Sequence, residues 1–168
     1  MENKLIIAYS PSERRGYFDS FHNINLVAQN GNDLGERMFN AFEFAFDNDS
    51  DSVVMIGTDS PTFPPEFIEK AFEYLEQNDA VLGETEDGGF YLIGLRKLNK
   101  RIFQNVEWSS EKTCSQTKKN LEKIKFSLAE LPIWYDVDEP KDLEKLSKDK
   151  YLQQFAPLTA GLLQKLKQ

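Results

Sequence analysis

Ser52-Val53-Val54-Met55-Ile56-Gly57-Thr58-Asp59-Ser60-Pro61 is the stretch that decides the fold. Ser52 to Ile56 reads as a continuous apolar strand, the kind buried on both faces of a parallel sheet. Gly57 to Pro61 reads as the turn that ends it, since Asp and Ser before Pro bend or cap a chain. Asp59 therefore stands at the carboxyl end of a buried strand. A carboxylate there suits a hard cation such as Mg²⁺, which prefers one or two carboxylates plus phosphate oxygens.

Upstream of this strand, Leu5 to Tyr9 is a short apolar run stopped by Ser10-Pro11, and Ile24 to Gln29 is a second strand stopped by Asn30-Gly31-Asn32. The period then changes: Leu34, Met38, Ala41, Phe42, Ala45 and Phe46 fall on one helical face, with Asp33 where an N-cap belongs. Downstream, Pro64-Pro65 opens a helix whose buried face carries Phe67, Ile68, Ala71, Phe72 and Leu75. Strands follow at Ala80 to Gly83 and Phe90 to Leu95. A polar helix spans Glu111 to Ile124, and strand-like alternation runs from Phe126 to Tyr135, interrupted at Pro132. Helices at Pro140 to Ser147 and Leu158 to Leu166 complete the chain. Alternating strands and helices predict one α/β domain over residues 1–168, a three-layer sandwich around a mainly parallel sheet. In such sheets ligands bind beyond the carboxyl ends of the strands.

Composition narrows the functions. The 168 residues carry a net charge of −8, which disfavours nucleic acid as the main partner. An acidic chain can still take a phosphorylated substrate through a bridging metal ion. No apolar run is long enough to span a bilayer. The opening residues from Met1 lack the features of a signal peptide, and the lone Cys114 forms no internal disulfide, so the expected compartment is the cytoplasm. A single His22, expected on a polar loop or strand edge, excludes a His-rich metal site. Cys114 is expected to be inert, having only Lys112 nearby to activate it.

Five further stretches carry candidate site residues, and each also has a plain structural reading. Asp87-Gly88-Gly89-Phe90-Tyr91 places paired glycines that let backbone approach a ligand, but Asp-Gly is equally a hairpin turn. Asp136-Val137-Asp138-Glu139-Pro140 offers two carboxylates for a metal at a strand end, while Asp138 reads as well as an N-cap. Arg37 lies in the first turn of a helix, where a cation opposes the macrodipole; it is either exposed or held for an anion. Trp108-Ser109-Ser110 precedes a helix, with Ser110 as cap and Trp108 as core or as a ring for ligand stacking. Arg14-Arg15 after the first strand reads as a solvated loop or a phosphate contact.

Taken together, Asp33-Leu34-Gly35-Glu36-Arg37-Met38, Gly57 to Pro61, Asp87 to Leu95, Trp108-Ser109 and Asp136 to Leu143 are specific in order and spacing. The set resembles the bacterial glycosyltransferase-like family called selenodomain-associated transferase 1, a branch of the nucleotide-diphospho-sugar transferases with a GT-A-like fold. The resemblance runs from Leu5 to about Leu146. It implies that Asp59 and Asp138 are metal-binding and catalytic, with Mg²⁺ or Mn²⁺ as cofactor. It also implies that Asp87, Gly88, Gly89 and Tyr91 line the substrate side, with Phe90 in place of the family's usual tyrosine. Arg37 and Trp108 are expected as auxiliary substrate contacts. The family's first strand, nucleotide-gripping loop and first helix have no counterpart in this chain, which reads as N-terminally truncated. The expectation is a glycosyl- or nucleotidyltransferase-like protein using a nucleotide or nucleotide-sugar donor. The alternative is a non-catalytic binding module in which donor affinity is weak or lost. A homodimer or a rearranged sheet edge would cover the gap left in the sheet.

Overall fold

The computed structural model describes residues 4–166, so the opening Met1-Glu2-Asn3 lies outside it. Its strands are β1 (Ile6–Tyr9), β2 (Asn25–Ala28), β3 (Val53–Ile56), β4 (Ala80–Glu84), β5 (Phe90–Leu95) and β6 (Leu128–Glu130). Its α-helices are α1 (Leu34–Asp47), α2 (Glu66–Leu75), α3 (Thr113–Lys123), α4 (Pro140–Lys148), α5 (Leu152–Phe155) and α6 (Pro157–Leu166). Two 3₁₀ turns, Ser12–Phe18 and Lys100–Phe103, and the short α5 lack the periodicity that would mark them in the sequence.

The strands form two sheets. β1 and β2 pair in parallel, and the larger sheet has the order β3-β5-β4-β6. β5 runs antiparallel to both β3 and β4, while β4 and β6 are parallel. Three of the four strands thus point one way. β5 is reversed because a tight turn joins it to β4, and tight turns join only antiparallel strands. The fold is a mixed α/β sandwich of the expected class.

Alternation along β4 and β5 separates two cores. Ala80, Leu82, Ile93 and Leu95 join Met38 and Phe42 of α1 and Cys114 and Leu121 of α3. Val81, Tyr91 and Leu92 join Ala71 and Leu75 of α2 on the opposite face. Tyr91 and Leu92 share a face although adjacent, because the register slips between Gly83 and Glu84 and leaves Tyr91 unpaired as a bulge. The Tyr91 ring then lies over Gly83, where a Cβ would collide with it. A third cluster, Leu146, Leu152, Ala156, Ala160 and Leu163, ties α4, α5 and α6 into a C-terminal cap.

Two capping expectations change. Glu139, rather than Asp138, caps α4, in a reciprocal box with Asp142. Asp138 instead donates its amide to Asp142 at 3.2 Å, leaving its own carboxylate uncommitted to the helix. Ser110 does not cap α3: it donates to the Glu107 carbonyl at 2.6 Å and organises the preceding turn, and Lys112 holds the cap position.

Candidate functional site

Three loops at one end of the larger sheet bring four aspartates together. Asp59 follows β3, Asp87 sits in the β4–β5 turn, and Asp136 and Asp138 follow β6. Asp87, Asp136 and Asp138 each offer a carboxylate oxygen within 4.8 Å of the others. Asp136 and Asp138 reach the same place because side chains two apart in an extended chain share a face. Backbone bonds set the loops: the Val137 amide donates to the Asp59 carbonyl at 2.9 Å, and the Glu86 amide to the Trp134 carbonyl at 3.1 Å.

The charges are concentrated and unpaired. Among the described residues no Lys or Arg forms an ion pair with any of the four. Burial, then the negative charges of Asp87, Asp138 and Asp59, push the Asp136 carboxyl up to about 6. Burial and the same neighbours raise Asp138 as well, led after desolvation by Asp59. An all-oxygen, all-anionic donor set of this kind fits a hard divalent cation and suits neither a soft metal nor one that prefers imidazole. Ser60, beside Asp59, is 4% exposed, and its hydroxyl has no partner among the described residues.

Asp87-Gly88-Gly89 adopts the turn that the sequence allowed. It is a hairpin turn, with Gly88 at φ 90° and the Gly88 amide donating to the Thr85 carbonyl at 3.1 Å. Asp87 also accepts from the Thr85 hydroxyl at 2.5 Å and the Gly89 amide at 3.0 Å, both at Oδ1. That fixes the carboxylate while leaving its second oxygen outside the turn. Gly88 packs on the Glu111 backbone, and its carbonyl accepts from the Cys114 amide at 2.9 Å.

Other expected contacts lie elsewhere. Tyr91 is 2% exposed, and its hydroxyl donates to the Pro132 carbonyl at 3.0 Å. The expectation that it lines the substrate side is corrected: the bulge turns it into the α2 core, where desolvation raises its hydroxyl pKa. Trp108 is half-buried between Phe90 and Phe103 and against Gly35, where a Cβ would approach the indole to 2.6 Å. It helps line a hollow of about 550 Å³ with Asp33, Glu36, Phe39 and Lys100. Arg37 lines another, of about 270 Å³, between the end of β2 and α1, and donates to the Gly31 carbonyl at 3.3 Å. None of the four aspartates lines either hollow; Asp59, Asp87 and Asp138 are exposed and Asp136 is half-buried. Cys114 is buried, with its thiol pushed up to about 12, chiefly by desolvation, as its inertness requires. His22 lies on an exposed loop.

Asp136 was legible in the sequence only as the second acid of the Asp-Val-Asp stretch. Its period-two spacing from Asp138 was the available signal. Its half-buried position, which perturbs it most, comes from packing.

A layered α/β fold with acidic residues gathered at strand ends defines a class, and solved structures of that class match most of the chain. A protein of Desulfovibrio desulfuricans G20 assigned as a nucleotide-diphospho-sugar transferase aligns with TM-score 0.87 and 31% identity, over 99% of this chain and 75% of the other. The bifunctional IspDF of Campylobacter jejuni shares the fold at TM-score 0.60 and 14% identity, over 85% of this chain and 42% of that one. The chain belongs to the family DUF2064, described as an uncharacterized protein conserved in bacteria, whose model matches residues 2–110. No curated protein matches the sequence. Among the described residues no helix is long and apolar enough to cross a membrane.

Proposed function

We propose that this domain acts in transfer of a glycosyl or nucleotidyl group from a nucleotide-activated donor, as its motif resemblance to selenodomain-associated transferase 1 implies. The observation that carries the reading is the convergence of Asp87, Asp136 and Asp138 within 4.8 Å, with Asp59 close enough to raise both Asp136 and Asp138. Bound there, Mg²⁺ or Mn²⁺ would supply positive charge against a diphosphate. Asp87 and Asp138, both exposed, and the half-buried Asp136 would supply the ligands, and Asp59 adjoins them. Arg37 keeps guanidinium N–H groups beyond its Gly31 contact for an anionic part of the donor. Trp108 and the hollow beside it offer a ring and carboxylates to an acceptor.

Calorimetric titration with Mn²⁺, then with a panel of nucleotide sugars in its presence, tests this. Metal-dependent donor binding, lost in Asp138→Asn and weakened in Asp59→Ala, is the expected result. Equal binding by both variants would remove the acid cluster from the function. Metal binding with no nucleotide sugar engaged at millimolar concentration would favour the non-catalytic binding module.

A further inference from the structure

Four carboxylates drawn from three loops repel one another, so something must hold the loops against that repulsion. On one side the backbone does so. The Trp134 amide donates to the Glu84 carbonyl at 3.1 Å and the Glu86 amide to the Trp134 carbonyl, fixing the Asp136 segment beside the strand that leads to Asp87. On the other side, toward Asp59, the only backbone tie among the described residues is the one from Val137. A further connection is a group of three side chains, two of them buried and the third half-buried. Thr62, three residues after Asp59, is fully buried, and Tyr135, directly before Asp136, is 8% exposed. Both meet Asp149, just past the end of α4.

Thr62 Oγ1 donates to Asp149 Oδ2 at 2.8 Å, and the Tyr135 hydroxyl donates to the same oxygen. Each hydroxyl has a single proton, and Asp149 takes both. The 2.9 Å approach of Thr62 Oγ1 to Tyr135 Oη is therefore a close packing of two oxygens around one acceptor. Asp149 Oδ1 is committed too, accepting from the Tyr151 amide at 2.8 Å. Burial works against this charge, but the bonds from Tyr135, Tyr151 and Thr62 outweigh it and hold the carboxyl below its ordinary range. Asp149 is thus a satisfied carboxylate outside the converging group of aspartates. The ring of Tyr135 is further pinned by Lys145, whose ammonium lies 4.3 Å from the ring centre while pairing with Glu86.

We propose that Thr62, Tyr135 and Asp149 form a positioning clamp that holds the Asp136–Asp138 segment against the Asp59 loop and so sets the spacing of the carboxylates. This rests on the reading of the acid cluster as the cation and donor site. None of the three touches the cation; they act through their chain neighbours, as outer partners of metal ligands do.

The test measures Mn²⁺ affinity by electron paramagnetic resonance of the free ion, with circular dichroism used to choose a temperature at which every variant is folded. Tyr135→Phe and Thr62→Val remove the hydroxyls and keep the shapes. Each should weaken Mn²⁺ binding by about tenfold to a hundredfold. Thr62→Ser, which keeps the donor, should bind like the wild type. If Tyr135→Phe does not fold, the Val and Ser variants at position 62 decide alone. Folded Tyr135→Phe and Thr62→Val proteins with wild-type affinity would reduce the three residues to structural glue while leaving the proposed function standing. A wild-type protein that binds no Mn²⁺ would overturn the cation site and this inference with it.

Discussion

The two sheets are built from similar residues and end in different states. β4 and β5 are almost entirely sealed, with Val81, Leu92 and Leu95 at 0% exposure. In β1 only Tyr9 is buried, and Ile6, Ile7 and Ala8 are half-buried. β3 is equally apolar, yet none of its residues is buried and Ile56 is 40% exposed. β4 and β5 have a paired strand on each side and helices over both faces; β3 is paired on one edge, and β1 has β2 as its single partner. A strand's own composition fixes how much it can bury, and its neighbours fix how much it does. The candidate site residues follow the same division. All four clustered aspartates stand on loops of the larger sheet, and the loops after β1 and β2 carry Arg14, Arg15 and, one turn into α1, Arg37.

The largest effect should come from cavities. Leu92→Ala in β5 should cost about 3–4 kcal/mol in urea unfolding, the range for a sealed leucine. Ile7→Ala in β1 should cost less, roughly 1–2 kcal/mol, because much of its side chain already meets water. Equal costs would break the comparison. Native-state hydrogen exchange sharpens it: amides of β4 and β5 should open only with global unfolding, and those of β1 and β2 in a smaller, separate event. Exchange of both sheets at one common free energy would show a single cooperative unit.

The acid cluster adds a pH dependence confined to the larger sheet. Asp136 titrates near 6 in the folded chain and near 3.8 when unfolded. Between those values the folded state binds more protons, so stability falls as pH rises through the window and is flat above it. Asp136 is partly exposed, and after discounting for solvent screening the effect is about 1 kcal/mol, a melting-point drop of a few degrees from pH 4.5 to pH 7. Asp136→Asn should flatten the profile in differential scanning calorimetry, and an unchanged slope would place the repulsion elsewhere. Asp79 and Asp149, both held below their ordinary range, act only under about pH 4. The smallest effect is expected at Lys4, which donates to the Asn48 carbonyl at 2.9 Å just past the end of α1. This exposed link should contribute no more than about 0.5–1 kcal/mol, read as the change in urea midpoint on Lys4→Ala.

Much of this was legible in the sequence. The helical period around Met38 and Phe42, the strand before Asp59 and the Asp87-Gly88 turn all appear where local pattern and local structure agree. The reversal of β5 was implicit in that turn, since a hairpin forces it. Other features depend on contacts distant in the chain, which no local pattern encodes. Leu5 to Tyr9 and Val53 to Ile56 read alike, and nothing in either tells which sheet it joins. The family resemblance of Asp87 to Tyr91 puts Tyr91 on the substrate side, but a one-residue register slip sends it into the core. Thr62 and Asp149 are separated by 87 positions and carried no mark at all.

Gly83 bears on how this protein's mutational record would be read. It performs no chemistry, yet a methyl group there would strike the Tyr91 ring and loosen its hold on Pro132, two positions from Trp134 and four from Asp136. In a saturation library, position 83 should tolerate as little variation as the aspartates, and its failures should appear as lost protein rather than as lost turnover. Ranking positions by intolerance alone would place a packing joint among the candidate site residues, and scoring abundance separately from activity would tell them apart.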